Sequence, residues 1–225
     1  MAYTNSARGS KPGLGHFKDK TNKKKPAVEA AASPVVQFGE HGRYQIKSGW
    51  LSGTFVARAF PKPPTQARGM IAEATGATEE EAIASLQEAI DARENRRADD
   101  RREDSRAGFA VPSTEEYVEA IRHVALSRQQ LAMLTAMSLT EGKGLTAERM
   151  AYAAGYKSQA AAFRSFAAAG NLIGAYLSIR TISSKTSSDP EGAALLGSRT
   201  ETLDADDPGN WVLHEELQKA VQLAL

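Results

Sequence analysis

Residues 145–177 constrain the fold of this chain most, because they combine two helix patterns with a turn between them. Thr146 is a good N-cap for a first helix, and Glu148 puts a carboxylate in its first turn, where the helix dipole favours it. Gly155 is suited to end that helix, and Ser158 can cap a second one. On the second helix the buried positions recur at intervals of three and four: Phe163, Phe166, Gly170, Ile173 and Leu177. This is the helix-turn-helix pattern, whose second helix usually enters the major groove of DNA.

The composition fits a globular protein without covalent cross-links. With 225 residues the chain can hold one or two domains and bury a core. No stretch approaches the roughly 18 to 20 apolar residues of a membrane span, and the amino end has no apolar signal segment. We therefore expect a cytoplasmic protein with no membrane partner. The sequence has no cysteine, which excludes disulfides and thiolate metal sites.

The charge is unevenly distributed although the net charge is only +1. Residues 1–34 carry seven Lys/Arg and two Asp/Glu, and residues 109–184 carry seven and five. Residues 185–225 carry three and eight, for a local charge of −5. A basic amino end and a mildly basic middle suit an anionic partner, whereas the acidic carboxyl end does not suit contact with phosphate.

Residues 1–34 are predicted to be a disordered basic tail, because they are rich in Gly, Ser, Lys and Ala and poor in apolar residues. The cluster Lys23-Lys24-Lys25 leaves two interpretations open. It can add nonspecific phosphate contacts, or the tail can serve only to keep the protein soluble.

Residues 35–92 predict a small β-sheet covered by one helix. Strand-like runs at residues 35–38, 44–46, 54–60 and 70–74 are separated by Gly- or Pro-containing turns. Thr78 and Glu81 then form a capping box, and Leu86 and Ile90 fall with Ile83 on one face of the following helix. We expect three or four antiparallel strands with the helix against them.

Residues 91–106 contain six Arg and six Asp/Glu. Balanced charge at this density argues against a nucleic-acid arm, which would carry one sign. Residues 93–110 are therefore predicted to be a charged connector or a solvated extension of the preceding helix.

Residues 111–225 predict a mainly helical domain with a small hairpin. Ser113 with Glu116, and Ser127 with Gln130, form two further capping boxes ahead of the helix-turn-helix. After it, residues 195–196, 200–203 and 211–213 predict short strands, and residues 204–210 predict a turn. Such a hairpin would be a wing, and a last helix at residues 215–224 would pack back onto the domain. The fold class is therefore α+β, a small antiparallel sheet with one helix followed by a winged helix-turn-helix-like domain.

Two resemblances to known families accompany these patterns. Residues 72–90 resemble the strand-turn-helix of HicB-type antitoxin domains and the sheet-and-helix modules at the amino end of tyrosine integrases, although a sheet covered by one capped helix explains them without any function. Residues 117–177, with Leu145-Thr146-Ala147 and Gly155-Tyr156-Lys157-Ser158 as the most specific words, resemble a helical domain found beside HNH nuclease domains in bacterial restriction-type proteins. Trp211-Val212-Leu213 before the final helix is similar to the end of that domain. The resemblance implies a DNA-associated role and carries over no catalytic residue.

The sequence contains no constellation that would predict an enzyme. The four histidines, His16, His41, His123 and His214, lie in unrelated settings, and His214 beside Glu215 is typical of a helix start rather than of a metal site. No phosphate-cradling glycine loop and no GxSxG motif is present. We expect no catalytic residue, no metal and no cofactor.

The predicted partner is double-stranded DNA. Arg164 lies opposite the apolar stripe in the second turn, where a recognition helix meets base edges, and its guanidinium fits guanine O6 and N7. Ser158 and Gln159 lie at the helix start, which favours phosphate. The full set of predicted DNA-binding residues is Lys143, Arg149, Lys157, Ser158, Gln159, Arg164 and Ser165.

Two functions from different classes remain open at this level. The first is a non-enzymatic bacterial DNA-binding protein, either a regulator or the DNA-contacting component of a defence or mobile-element system. The second is a protein-interaction adaptor, an antitoxin-like partner of a nuclease or toxin. The alanine-rich outer face of the second helix also suits a helix–helix contact, which would make a homodimer.

Overall fold

The computed structural model of the chain describes residues 36–63, 65, 67–104, 108–179, 192–200 and 209–225. The predicted basic tail with its lysine cluster, His16, and most of the predicted strand at 200–203 and turn at 204–210 lie outside the described residues. Among the described residues, no helix has the length and apolar character needed to cross a membrane.

Four antiparallel strands follow one another along the chain and in space. They are β1 (Gln37–His41), β2 (Tyr44–Leu51), β3 (Thr54–Pro61) and β4 (Ala72–Gly76). The sequence prediction of a small antiparallel sheet is confirmed, with strand ends shifted by a few residues. The register places Phe38 opposite Lys47 and Lys47 opposite Arg58, so these three side chains share one face of the sheet.

The helix α1 (Glu79–Asp100) covers the other face of this sheet. Its predicted capping box is present, since Thr78 Oγ1 accepts from the Glu81 amide at 3.2 Å and the Glu81 carboxylate accepts from the Thr78 amide at 3.3 Å. The apolar contact brings buried side chains of α1 against buried side chains of β2 and β3: Ala82, Leu86, Ile90, Tyr44, Ile46, Ala57 and Ala59.

The charged segment extends α1 by two turns and then forms a short hairpin. The helix continues to Asp100, and β5 (Arg102–Asp104) pairs with β6 (Phe109–Val111). The expectation that a helix extension here would be solvated is wrong for its inner face, where Arg97 is only 8 % exposed. Its charge is compensated locally, because Arg93 and Arg97 both donate to the carboxylate of Glu119.

Four helices build the second part of the fold, and each begins where the sequence pattern predicts. They are α2 (Thr114–His123), α3 (Arg128–Ser138), α4 (Ala147–Ala154) and α5 (Gln159–Leu177). Ser113 and Ser127 close full capping boxes with Glu116 and Gln130. The core between these helices is large and continuous, with Tyr117, Met133, Met150 and Phe166 fully buried in it.

The carboxyl end adds a helical turn, a hairpin and a helix, namely α6 (Ala193–Leu196), β7 (Gly197–Arg199), β8 (Trp211–Leu213) and α7 (Glu215–Ala224). The predicted strand at residues 195–196 is wrong. Leu195 and Leu196 are both fully buried, and two adjacent inward side chains fit a helical turn but not the alternation of a strand. The strand begins at Gly197 instead and pairs with β8.

A further pair of backbone hydrogen bonds joins the hairpin to the loop ahead of α4. The amides of Leu145 and Trp211 each donate to the other residue's carbonyl oxygen at 2.9 Å. The described helix-turn-helix and the β7–β8 hairpin are thereby held together.

Glu119 connects the sheet-covering helix to the helical core. Besides Arg93 and Arg97 of α1, its carboxylate accepts from the hydroxyl of Tyr176 on α5. Residues 35–92 and 111–225, which the sequence pattern divides into two domains, belong to one compact unit, Pro34–Leu225. The described chain as a whole is α+β.

Candidate nucleic-acid interface

The helices on both sides of the turn between α4 and α5 are capped by the residues that the sequence predicts. Thr146 accepts from the Arg149 amide at 3.3 Å, and Ser158 accepts from the Ala161 amide at 3.2 Å. Gly155 ends α4 in the left-handed conformation with φ 71°. The Tyr156 amide then donates to the carbonyl of Ala151 at 2.8 Å, which satisfies the last turn of α4.

The inward face of α5 is fixed by the apolar stripe. Phe166, Ile173 and Leu177 are buried as predicted, whereas Phe163 is only partly buried and contacts the ring of Trp211 at 5.0 Å between centroids. Because the inward face is filled, the opposite face is directed outward. The exposed positions recur at intervals of three and four along α5: Ala160, Arg164, Ala168, Asn171 and Ala175.

Most of the predicted DNA-binding residues lie on the exposed surface of the motif. Exposed side chains belong to Lys143, Arg149, Lys157, Ser158, Gln159 and Arg164. Within the part of the chain that the structure describes, the four cationic groups have no carboxylate within ion-pair distance. Residues 149–179 contain Arg149, Lys157 and Arg164 and no Asp or Glu. The surface from the turn to the end of α5 is therefore positively charged.

The motif places these groups at the start of α5 and on the elements beside it. Lys157 and Gln159 flank the N-cap, where the first amides of the helix point outward. Arg164 follows Gln159 by about 7.5 Å of helical rise. Lys143 lies in the loop ahead of α4, where its carbonyl oxygen accepts from the Asn210 side chain at 3.0 Å beside the hairpin.

Ser165, the last member of the predicted set, is half-buried on α5. Its hydroxyl accepts from the Tyr156 hydroxyl at 2.6 Å, and its carbonyl accepts from the side-chain Nε2 of Gln130 at 3.1 Å. The outward stripe is centred on residues 160, 164 and 168, so residue 165 falls at its edge and turns toward the turn between the helices. The Ser165 hydroxyl therefore takes part in the packing of the motif, and its contact with DNA stays a prediction.

Two residues missed by the sequence prediction belong to the same region. Arg199 on β7 is exposed, and its guanidinium carbon lies 5.5 Å from the ring centroid of Phe163 and 5.2 Å from that of Trp211. Tyr152 on α4 is 89 % exposed, one helical turn after Arg149. Tyr152 could have been found, because it falls outside the apolar pattern of α4. Arg199 could not, because the predicted strands missed residues 197–199.

The described histidines each have a structural partner rather than a metal-site neighbour. His41 Nε2 is 2.7 Å from the Asp91 carboxylate, and His123 Nδ1 is 2.7 Å from the carbonyl of Arg68. His214 Nε2 is 2.8 Å from the carbonyl of Ala194, and burial lowers the pKa of this imidazole. Among the residues that the structure describes, no group of three His, Asp or Glu side chains is placed to hold a metal ion.

Comparison of the chain with protein-family models, with curated proteins and with solved structures found no match. The functional interpretation therefore depends on the geometry of the motif and on its charge.

Proposed function

We propose that this chain is a non-enzymatic DNA-binding protein that contacts double-stranded DNA through α4, α5 and the β7–β8 hairpin. The observation that carries the proposal is the exposed set of Lys157, Gln159 and Arg164 at the start of a capped second helix, with no ion-pair partner for the two cations among the residues that the structure describes. A role as a regulator, or as the DNA-contacting component of a defence or mobile-element system, is consistent with such a surface. Binding to bacterial DNA would place the protein in the cytoplasm.

The chemistry of the surface favours phosphate contacts over base readout. The free amides and the positive end of the α5 dipole suit a phosphate next to Ser158, and Lys157 adds a full positive charge beside it. Arg164 is the one side chain on the outward face of α5 with the fork geometry for guanine. We therefore expect affinity to depend mainly on the DNA backbone and sequence preference to be modest.

A salt titration of duplex binding tests the proposal. The chain should shift a labelled duplex at low salt, with an affinity that falls steeply as salt rises because phosphate contacts release counterions. Arg164→Ala should weaken binding by about tenfold, within the range of a lost bidentate base contact.

Arg122→Ala is the matched control, since it removes another exposed arginine from a different helix. Arg122 is next to His123, whose ring stacks on that of Tyr176 with 5.8 Å between centroids. Tyr176 is near the far end of α5, about 25 Å along the helix from Gln159, so the control lies away from the proposed contact. Absence of a shift at low salt, or a salt slope near zero, would overturn the proposal.

A protein-interaction adaptor is the second candidate, and the small outward side chains of α5 favour it. Ala168 and Ala175 are exposed seven residues apart on one face, which suits close approach of another helix. The partner would be a second copy of the chain or a nuclease or toxin. Light scattering that finds a stable dimer, together with no duplex binding at low salt, would favour this candidate over the first.

A further inference from the structure

The face of the four-stranded sheet turned away from α1 carries aromatic and cationic side chains together. We call it the outer sheet face and define it by Val36, Phe38, Lys47, Arg58 and Phe60. Antiparallel pairing places Phe38, Lys47 and Arg58 in one row across β1, β2 and β3, and Phe60 lies two residues from Arg58 along β3. Phe38 is 68 % exposed, far more than a phenyl ring that belongs to a core.

Lys47 is held between the two phenyl rings. Its Nζ lies 5.6 Å from the ring centroid of Phe38 and 5.0 Å from that of Phe60. No carboxylate of the described chain is within ion-pair distance of it, whereas the neighbouring Arg58 is paired with Glu73 at 2.6 Å. The outer sheet face thus presents one uncompensated positive charge flanked by two aromatic rings.

The charge of the surrounding sequence has the same sign. Residues 1–62 contain 11 Lys/Arg and three Asp/Glu, a net +8, whereas residues 63–225 contain 17 and 24, a net −7. The part of the sequence that includes β1, β2 and β3 is therefore the strongly basic part of the protein. Such a charge favours a polyanionic ligand.

We propose that the outer sheet face binds single-stranded nucleic acid, with bases stacked on Phe38 and Phe60 and a phosphate on Lys47. Aromatic rings next to a cation are the combination that single-strand binding surfaces use, because every base has a face to stack and every linkage has a charge. A groove of about 250 Å³ lies along this face and is lined by Val36, Lys47 and Phe60 among others. Bases within a duplex are stacked on one another and cannot reach the rings.

Lys47 favours a polynucleotide over an apolar protein surface as the ligand of the outer sheet face. Covering the two rings with an apolar partner would bury the Lys47 ammonium without a counter-charge, which is costly. A polynucleotide supplies the phosphate at the same position. This site is separate from the proposed duplex contact on α4 and α5, so an experiment can contradict either proposal without contradicting the other.

Fluorescence anisotropy with the full chain tests the proposal, using labelled 15-mers of deoxythymidine and of uridine. Phe38→Ala should weaken binding by about tenfold, as expected for the loss of one stacked base. Phe38→Leu keeps an apolar side chain but no aromatic face and should lose nearly as much, whereas Phe38→Tyr should restore binding. Lys47→Ala should lower the salt slope by about 0.7, the share of one phosphate on a single strand.

Lys219→Ala on α7 is the control for Lys47, since it removes an exposed lysine elsewhere on the chain, and it should leave single-strand binding unchanged. Binding of either 15-mer supports the proposal. The 15-mer that binds more tightly identifies the ligand as single-stranded DNA or single-stranded RNA. Failure of both 15-mers to bind would overturn it. So would an affinity of Phe38→Ala and of Lys47→Ala equal to that of the unsubstituted chain. Equal loss of affinity in Phe38→Tyr and Phe38→Ala would also overturn it, because stacking would then not be the source of the affinity.

Discussion

Arg101 makes a two-point ion pair with the fully buried carboxylate of Glu116. The Arg101 Nη2 lies 2.7 Å from Oε1, and its Nε lies 3.0 Å from Oε2. The same carboxylate accepts from the Ser113 amide at 3.2 Å and closes the capping box of α2. One carboxylate therefore joins the residue that follows α1 to the first turn of α2.

Arg101→Ala should destabilise the protein by about 3 kcal/mol, because it leaves a buried carboxylate without its counter-charge. Urea unfolding followed by circular dichroism measures the change. Arg96→Ala on α1 is the control, since this side chain is exposed and donates only to the Ala92 carbonyl of its own helix. Equal stability of the two variants would contradict the role given to the pair.

The regular elements were largely predictable because their signals are local. Thr78, Ser113, Ser127 and Ser158 each stand directly before a helix, and a cap acts within four residues of itself. The strands were found by residue type and alternation, although their ends moved. The start of each helix depends on a cap hydrogen bond whose donor and acceptor lie within four residues, so the residue types in the sequence are enough to predict it.

The long-range electrostatics were not predictable in the same way. The arginines of α1 look solvent-exposed in a sequence of balanced charge, yet Arg97 is buried against Glu119, which lies 22 residues further on. Arg97 follows Ile90 by seven residues and so continues the buried face of α1, whereas Arg96 lies outside that face. The helical repeat does not show that Glu119 of α2 supplies the counter-charge.

The residues of the candidate interface that the helical repeat turns outward were predictable from the sequence. Those that reach the interface through the tertiary fold were not. The helical repeat correctly placed Arg164 outward, whereas Ser165, one position further on, is half-buried and bonded to Tyr156. Arg199 reaches the region only because β7 pairs with β8 and brings it over Phe163. That contact joins residues 36 positions apart in the sequence.

Two glycine-to-alanine substitutions should differ sharply in cost. A Cβ at residue 170 would lie 1.9 Å from the carbonyl oxygen of Gly192, so Gly170→Ala must displace backbone and should cost about 3 kcal/mol. At Gly155 nothing lies within 4 Å of a Cβ, and only the positive φ opposes alanine, at about 1 kcal/mol.

Thermal and urea unfolding of the two variants gives both values. Gly155→Ala serves as the control for Gly170→Ala, because the chemical change is the same at both positions. If Gly170→Ala were the milder substitution, the close approach of α5 to residue 192 would be wrong.

The stability of the protein should fall on mild acidification through His214. Burial lowers the pKa of this imidazole below its ordinary value of 6.5, so the unfolded chain takes up the proton first as pH decreases. The contribution of His214 is therefore complete well above pH 6.5 and is lost as pH falls from about 6.5 toward the folded-state pKa.

Melting temperatures at pH 7.5 and pH 5.5 measure this dependence in a range that lies above most carboxylate pKa values. His214→Gln can still donate to the Ala194 carbonyl but does not titrate, so its melting temperature should change less between the two pH values. An unchanged pH dependence in this variant would show that His214 is not the titrating group.

Lys143 and Arg164 should affect duplex binding in different ways. Lys143 is exposed in the loop beside the hairpin, where a single charge can contact a phosphate but cannot read a base edge. Lys143→Ala should therefore weaken binding equally on all duplexes and lower the salt slope by about 0.9. Arg164→Ala should lose more affinity on a duplex that contains a favoured guanine than on one without guanine at that position. Anisotropy titrations of both variants on two such duplexes at several salt concentrations separate the effects, and a sequence-dependent loss in Lys143→Ala would contradict its assignment to the backbone.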